Sequence, residues 1–216
     1  MALNSNALTT VADLRTFLAD SFTAAETGRM ATSALESIIN QASSYIERWC
    51  NRTLIAPSAA VTYNLPGYGE RTIWLPDYPI ISVTSITFNE SVLTVPASSG
   101  VDVAGWYLTD EGSLMGRIDL DGYGTDRGPR GVTVVARCGY NATVAATTPA
   151  TAVSRDHATA LDTLKRACHT VCGSWYENRL GHSSQTVSGQ SVSFDSGTLP
   201  PRAEELLRTF RRVVVA

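Results

Sequence analysis

Residues 33–51 read SALESIINQASSYIERWCN, and this stretch decides the fold of the first part of the chain. Its apolar residues recur every three or four positions, the spacing that places side chains on one face of an α-helix. Ser33 and Glu36 form a potential capping pair. We therefore predict a helix from about residue 32 to 51. The residues expected to face the core of a helical bundle are Leu35, Ile38, Ile39, Tyr45, Ile46 and Trp49.

Three other segments show helical spacing. Thr10 and Asp13 form a capping pair ahead of a short helix. A long helix is predicted from about residue 154 to 178, and Pro200 and Pro201 open a last short one. The apolar stripe of the long helix adds Leu161, Leu164, Val171 and Trp175 to the predicted bundle core.

The middle of the chain changes to a period of two. Seven short segments rich in Val, Ile, Thr, Tyr and Trp alternate with Gly, Pro, Asn and Asp, a pattern typical of strands and turns. The predicted strands are residues 61–65, 71–75, 80–88, 92–95, 106–109, 117–120 and 132–137. Strands this short and closely spaced favour an antiparallel arrangement over βαβ units.

The predicted fold class is therefore α+β, a small helical bundle with an inserted antiparallel β module and an extended C-terminal tail. We expect residues 1–59 to hold the N-terminal helices of the bundle and residues 60–140 the inserted module. Residues 141–199 would hold the long helix, followed over residues 180–198 by a loop or mobile hairpin rich in Gly and Ser. Residues 200–216 would form the C-terminal helix and a docking tail.

Composition excludes several classes of protein. The 216 residues are 44% hydrophobic and 17% charged, which is typical of a globular chain with a substantial core. No apolar run approaches the length of about 20 residues that crosses a bilayer, so we expect no membrane partner. The start of the chain lacks the features of a secretory signal.

Charge is distributed unevenly. Residues 60–140 hold nine acidic and five basic residues, a net charge of −4, whereas residues 141–216 hold six acidic and eight basic residues, a net charge of +2. Lys165 is the single lysine among 17 Lys and Arg residues. An acidic middle and a basic end indicate that different faces meet different partners, although codon bias also explains many arginines.

Catalysis and metal binding find little support. His157, His169 and His182 have no nucleophile motif nearby. Cys168 and Cys172 share a helix face, but zinc sites usually need a second closely spaced pair, and both cysteines fall on the apolar stripe. We predict a protein that is not an enzyme and that has no catalytic residue, metal or cofactor.

The C-terminal segment is unusual for the end of a helix. Arg208, Arg211 and Arg212 follow one another without an acid, and Val213, Val214 and Val215 are strand formers. Such a segment can add a strand to another protein's sheet edge, with arginines pairing to acidic groups. It can equally pack within its own domain. The residues alone leave both interpretations open.

Several motifs, taken in order, resemble the head–tail connector (adaptor) proteins of tailed bacteriophages and of related gene transfer particles. The segments that carry the resemblance are LESIINQASSYIERWCNR at residues 35–52, LPDYPIISVTSI at 75–86, VTVVARCGY at 132–140, GQSVSF at 189–194 and LLRTFRR at 206–212. Together they span most of residues 33–212. The large β module and the Ala- and Thr-rich stretch after Tyr140 depart from the family pattern.

The resemblance implies a structural virion protein located in the neck and assembled in the host bacterial cytoplasm. It implies a homo-oligomeric ring, commonly of 12 copies, docked under the portal protein ring. Such a ring extends the DNA channel and provides the platform for the stopper or tail proteins, and DNA passes through without sequence-specific binding. Adaptors commonly reach the portal with their C-terminal segment. The portal-docking candidates here are Arg208, Phe210, Arg211, Arg212, Val213, Val214 and Val215.

Two alternatives stay open. One is a β-rich module that binds a small ligand or glycan through aromatic residues, for which the candidates are Trp74, Tyr78, Trp106 and Tyr107. The other is a different virion part, such as a stopper or tail terminator.

Overall fold

The chain divides into two compact units in a computed structural model. One, the helical unit, comprises Met1–Arg52 and Thr159–Ala216, and the other, the β unit, comprises Thr53–Ala158. The structure describes residues 2–19, 31–88, 91–93, 105–121, 124–125, 128–141, 152–179, 184–187, 190–193 and 199–212.

Helices α1 (Val11–Ala19) and α2 (Thr32–Cys50) open the helical unit. Helix α4 (Ala152–Arg179) begins in the β unit and continues into the helical unit, and α5 (Pro201–Leu207) leads into a 3₁₀ turn at Arg208–Phe210. A hairpin, β8 (Ser184–Val187) with β9 (Gln190–Ser193), lies within the segment predicted as a loop or hairpin. Helix α3 (Asp110–Met115) belongs to the β unit.

The start of α2 differs from the prediction. Ala31 is the N-cap and makes no side-chain capping bond, so the predicted Ser33–Glu36 capping pair is wrong. Ser33 lies one residue inside the helix, where its backbone is already helical. At the other end Asn51 adopts the left-handed conformation with φ of 54°, and its N–H donates to the Arg48 carbonyl at 3.2 Å. Asn tolerates this conformation better than most residues, which ends the helix there.

The residues predicted to form the bundle core differ in burial. Leu35, Ile38, Ile39, Ile46, Leu164 and Val171 are buried, and Tyr45, Trp49, Leu161 and Trp175 are partly exposed. The rings of Tyr45 and Trp175 meet edge to face with centroids 5.6 Å apart. This is a favourable geometry for two aromatic rings that each keep an exposed edge.

The start of the chain is fixed onto the helices by polar contacts. Buried Asn40 accepts the Asn4 N–H at 2.9 Å and donates its amide to the Ala2 carbonyl at 3.0 Å. Buried Ser43 accepts the Leu8 N–H at 3.1 Å. The Ser43 bond satisfies a backbone group of buried Leu8, and the two Asn40 bonds hold the exposed residues Ala2 and Asn4 against α2.

The described residues of the β unit form two antiparallel sheets. The first has the order β1 (Val61–Gly67), β7 (Gly128–Cys138), β3 (Ile80–Phe88) and β4 (Ser91–Leu93). The second has the order β2 (Thr72–Trp74), β6 (Arg117–Asp121) and β5 (Gly105–Tyr107). All seven strands coincide with predicted segments to within a few residues, and the α+β fold class is confirmed.

One hydrophobic core joins the inner faces of the two sheets. On β7, Val132, Val134, Ala136 and Cys138 are buried and the residues between them are partly exposed, as a period of two requires. Trp106, Ile118 and Ile73 add the second sheet to the same core. Alternate residues of the second sheet therefore point away from this core.

Candidate docking surface of the C-terminal segment

Helix α5 and the turn after it pack through three buried side chains. Ala203, Leu207 and Phe210 are spaced by four and three residues, so they lie on one helical face. Phe210 keeps 7% of its surface exposed. Phe210 was expected among the docking residues, and the structure places its side chain in the interior of its own unit.

The residues after Phe210 lie against the C-terminal end of α2. The Arg212 N–H donates to the Cys50 carbonyl at 2.9 Å, which satisfies one of the carbonyls that a helix leaves unpaired at its end. The Arg211 guanidinium carbon lies 5.0 Å from the centroid of the Trp49 ring, a cation–π contact. The negative end of the α2 dipole also favours cations here.

The bond of the Arg212 N–H and the contact of Arg211 with Trp49, together called the anchors of the segment, hold an exposed arginine surface in place. It consists of Arg208, Arg211 and Arg212, all three of which are exposed. Guanidinium groups stay charged and can bind carboxylates in a bidentate manner, so the surface suits an acidic protein partner. The three remaining docking candidates, Val213, Val214 and Val215, lie outside the described residues.

The buried thiols do not form a reactive site. Burial raises the pKa of Cys50 to about 11 and that of Cys138 to about 12. The Sγ atoms of Cys168 and Cys172 lie 3.9 Å apart, and their mutual hydrogen bond together with burial holds the pKa of Cys172 well above its ordinary value. Because the thiolate is the nucleophile and the metal ligand, these environments oppose both roles.

Two of the three histidines are buried, and each is in a separate environment. The Asn141 N–H donates to Nδ1 of His157 at 3.1 Å, and Nε2 of His169 lies 2.7 Å from the Thr9 hydroxyl. Burial lowers the pKa of both imidazoles. His182 lies outside the described residues. Within the ranges that the structure describes, no group of three His, Cys, Asp or Glu residues is placed to hold a metal ion.

The four aromatic residues considered for a ligand site do not converge. Trp106 is buried in the core, whereas Trp74 and Tyr107 are 54% and 48% exposed on the opposite face of the second sheet. Trp74 pairs in register with Arg117, and Tyr107 with Asp119, which pairs with Arg117 at 3.3 Å. Tyr78 is partly exposed next to Pro79, to which it is joined by a cis peptide bond. These positions do not define a single aromatic site.

Sequence reasoning missed the polar side chains that organise the turns of the β unit. Asp77 accepts the Thr53 N–H at 3.0 Å and the Tyr63 hydroxyl at 3.1 Å. Thr109 accepts the Gly112 N–H at 2.9 Å and thereby caps α3. A Thr three residues ahead of that glycine was the available signal for the cap.

In the described part of the chain, no helix is both long enough and apolar enough to cross a membrane. No protein-family model matches the sequence, and a search among curated proteins finds no significant match.

Two solved structures are similar over the whole chain. One is from the neck of an empty gene transfer agent (GTA) particle, computed with C6 symmetry, at 21% identity and a TM-score of 0.57. The other is from the virion of a native GTA particle, at 19% identity and a TM-score of 0.58. Each comparison covers 100% of this chain and 95% of the other. The chain thus shares its fold, from end to end, with chains of GTA particles.

Proposed function

We propose that this chain is a structural protein of a virion neck, and specifically a head–tail adaptor that forms a ring under the portal. The observation that carries the proposal is the likeness of fold, which extends over the entire chain and nearly the entire length of a GTA neck chain. The order of sequence motifs supports the same family independently. The burial of the thiols and of His157 and His169 is consistent with a role without catalysis.

The proposed partners are the portal ring on one side and stopper or tail proteins on the other. The proposed ring has 12 copies, a number compatible with the sixfold symmetry of the similar neck structure. Cyclic rings close through head-to-tail contacts between two different surfaces of each copy. A chain with an acidic β unit and a basic C-terminal end offers surfaces of opposite charge for such contacts.

We propose that some residues of the C-terminal segment anchor it to its own unit and that others contact the portal. Phe210 and Arg211 anchor the segment to its own unit, through burial and through the Trp49 ring. Arg208, Arg212, Val213, Val214 and Val215 would then meet the portal. In this assignment Phe210 does not contact the portal but holds the docking residues in position.

Docking is tested by a truncation that spares the anchors. A chain ending at Arg212 keeps Phe210, the Arg211 contact and the Arg212 N–H bond to Cys50. We expect it to fold as the full chain does but to bind an isolated portal ring at least about tenfold more weakly, since it lacks the apolar residues that would add to a portal sheet edge. Negative-stain imaging and mass photometry of the mixture measure this. Full portal binding by the truncated chain would contradict the docking assignment.

A matched substitution controls for changes near the end of the chain. Thr209 is exposed and lies between Arg208 and Phe210. Thr209→Ala removes no charge and no buried group, so it should bind the portal like the unmodified protein.

If the protein binds isolated tail proteins and never the portal, a stopper or tail terminator replaces the adaptor assignment.

We also propose that acidic side chains of the β unit line the DNA channel. Fixed cations would hold the phosphate backbone, whereas carboxylates let DNA slide past. Asp110 and Glu111 are exposed at the start of α3. Replacing both by Lys should slow DNA exit from assembled particles, and replacing both by Asn and Gln should not. Equal ejection rates for the Lys variant and the parent would refute this orientation.

A further inference from the structure

A shallow cleft in the β unit lies between β1 and β2, each of which is the edge strand of its sheet. Its volume is about 110 Å³. Buried Ile73 and Val132 form an apolar floor, and Tyr68 and Trp74 stand at its rim with 68% and 54% of their surfaces exposed. Glu70, an exposed acidic residue, also lines the cleft. Two large exposed aromatic side chains next to an apolar floor are unusual for a surface that meets only water.

The rim is held in place by one buried side chain. The Thr125 hydroxyl oxygen accepts the backbone N–H groups of Tyr68 at 3.2 Å, Gly69 at 2.9 Å and Glu70 at 3.0 Å. In return the Thr125 N–H donates to the Glu70 carbonyl at 2.8 Å. Thr125 is 7% exposed. The turn that presents Tyr68 and Glu70 is therefore preorganised, which lowers the entropic cost of binding.

The chemistry of the lining suits an arginine side chain. A guanidinium group stacks on Trp and Tyr faces and pairs with a carboxylate, while its aliphatic stem covers apolar surface. Arg117, the cross-strand partner of Trp74, would repel a second cation, but Asp119 pairs with it at 3.3 Å. A neutral aliphatic side chain in the cleft could not form an ion pair with Glu70.

We propose that this cleft receives an arginine side chain from a neighbouring copy of the same chain. Charge complementarity supports a second copy as the occupant. The β unit holds ten acidic and six basic residues, whereas residues 159–216 of the helical unit hold five acidic and seven basic residues. Arg166 and Arg202 are exposed there and are not among the residues proposed to meet the portal. The inference rests on the proposed ring, in which each copy contacts the next through two different surfaces.

Self-association measured by sedimentation velocity tests the contact. Trp74→Ala and Glu70→Arg should each weaken it at least about tenfold, because the first removes a stacking face and the second opposes two cations. Tyr107→Ala and Asp156→Arg are matched controls, since both residues are exposed in the β unit and neither lines the cleft. We expect both controls to associate like the parent. Rings that form equally well from Trp74→Ala and Glu70→Arg would overturn the inference and leave the proposed function standing.

A charge reversal identifies the arginine. In the Glu70→Arg background, either Arg166→Glu or Arg202→Glu should restore association, because the exchange recreates the ion pair with its sign inverted. If neither restores it, an arginine of the neighbouring copy is not the occupant.

A small probe tests the cleft without any ring. N-acetyl-arginine amide, titrated at millimolar concentration, should shift the indole N–H signal of Trp74 in a saturable manner by NMR. N-acetyl-leucine amide should not do so. No shift with the arginine probe would overturn the inference, even if the protein forms rings. A saturable shift in a protein that never forms rings would support the cleft's chemistry while counting against the proposed function.

Discussion

Replacement of Phe210 by Ala distinguishes an anchor of the fold from a residue that docks. Phe210 is 7% exposed and continues the buried face of Ala203 and Leu207. Truncating a buried Phe to Ala typically costs 3–5 kcal/mol, and the lower end applies because a site near the end of a chain can partly collapse. We therefore expect a loss of about 3 kcal/mol, a decrease of more than about 100-fold in the ratio of folded to unfolded protein.

Urea unfolding followed by circular dichroism at 222 nm measures this loss. With a slope near 2 kcal/mol per molar urea, the midpoint should fall by about 1.5 M. Thr209→Ala should stay within about 0.5 kcal/mol of the parent because its side chain is exposed. Phe210→Leu, which keeps most of the apolar volume, should fall between the two. A Phe210→Ala protein with the parent's midpoint and impaired portal binding would refute the anchor assignment and restore Phe210 to the docking surface.

Three further outcomes follow from the buried groups. Burial lowers the pKa values of His157 and His169, so below about pH 6.5 the unfolded chain binds more protons than the folded chain. The free energy of unfolding should therefore be highest above that pH and decrease, by up to about 1.4 kcal/mol per pH unit for each histidine, as the pH falls towards the folded pKa values. Urea titrations between pH 7.5 and 5 measure this decrease. Gly139 has φ of +117°, and a Cβ there would lie 2.7 Å from the Ala56 nitrogen. Gly139→Ala should therefore lower the melting temperature of the β unit by several degrees, and an unchanged melting temperature would contradict this packing. All four cysteines are free and buried, so a thiol reagent should label them slowly in the native protein and rapidly in urea, and fast native labelling would contradict their burial.

The long periodic elements were predictable because burial alternates at a fixed spacing in them. Helix α2 was expected over residues 32–51 and spans Thr32–Cys50, and β7 was expected over 132–137 and spans Gly128–Cys138. The pairing of Thr10 with Asp13 also occurs as expected, since the Thr10 hydroxyl accepts the Asp13 N–H at 3.2 Å. Each of these signals is local in sequence.

Features that are too short to show a period, or that depend on distant residues, were not predicted. Helix α3 has six residues, too few to display a helical period, and it rests on the Thr109 cap and on Gly116 with φ of 77°. Phe210 is a large apolar residue of the kind found at docking surfaces, but its burial depends on packing that no local sequence pattern specifies. The cleft is formed by β1, β2 and Thr125, which are brought together by the fold and by no motif.

The proposed neck ring and its docking on a portal are tested by the mass of the assembly, measured by mass photometry and imaged by negative stain, with and without an isolated portal ring. We expect a ring of 12 copies that binds the portal end-on and extends its channel. A chain that stays monomeric at every concentration and never associates with the portal would contradict it.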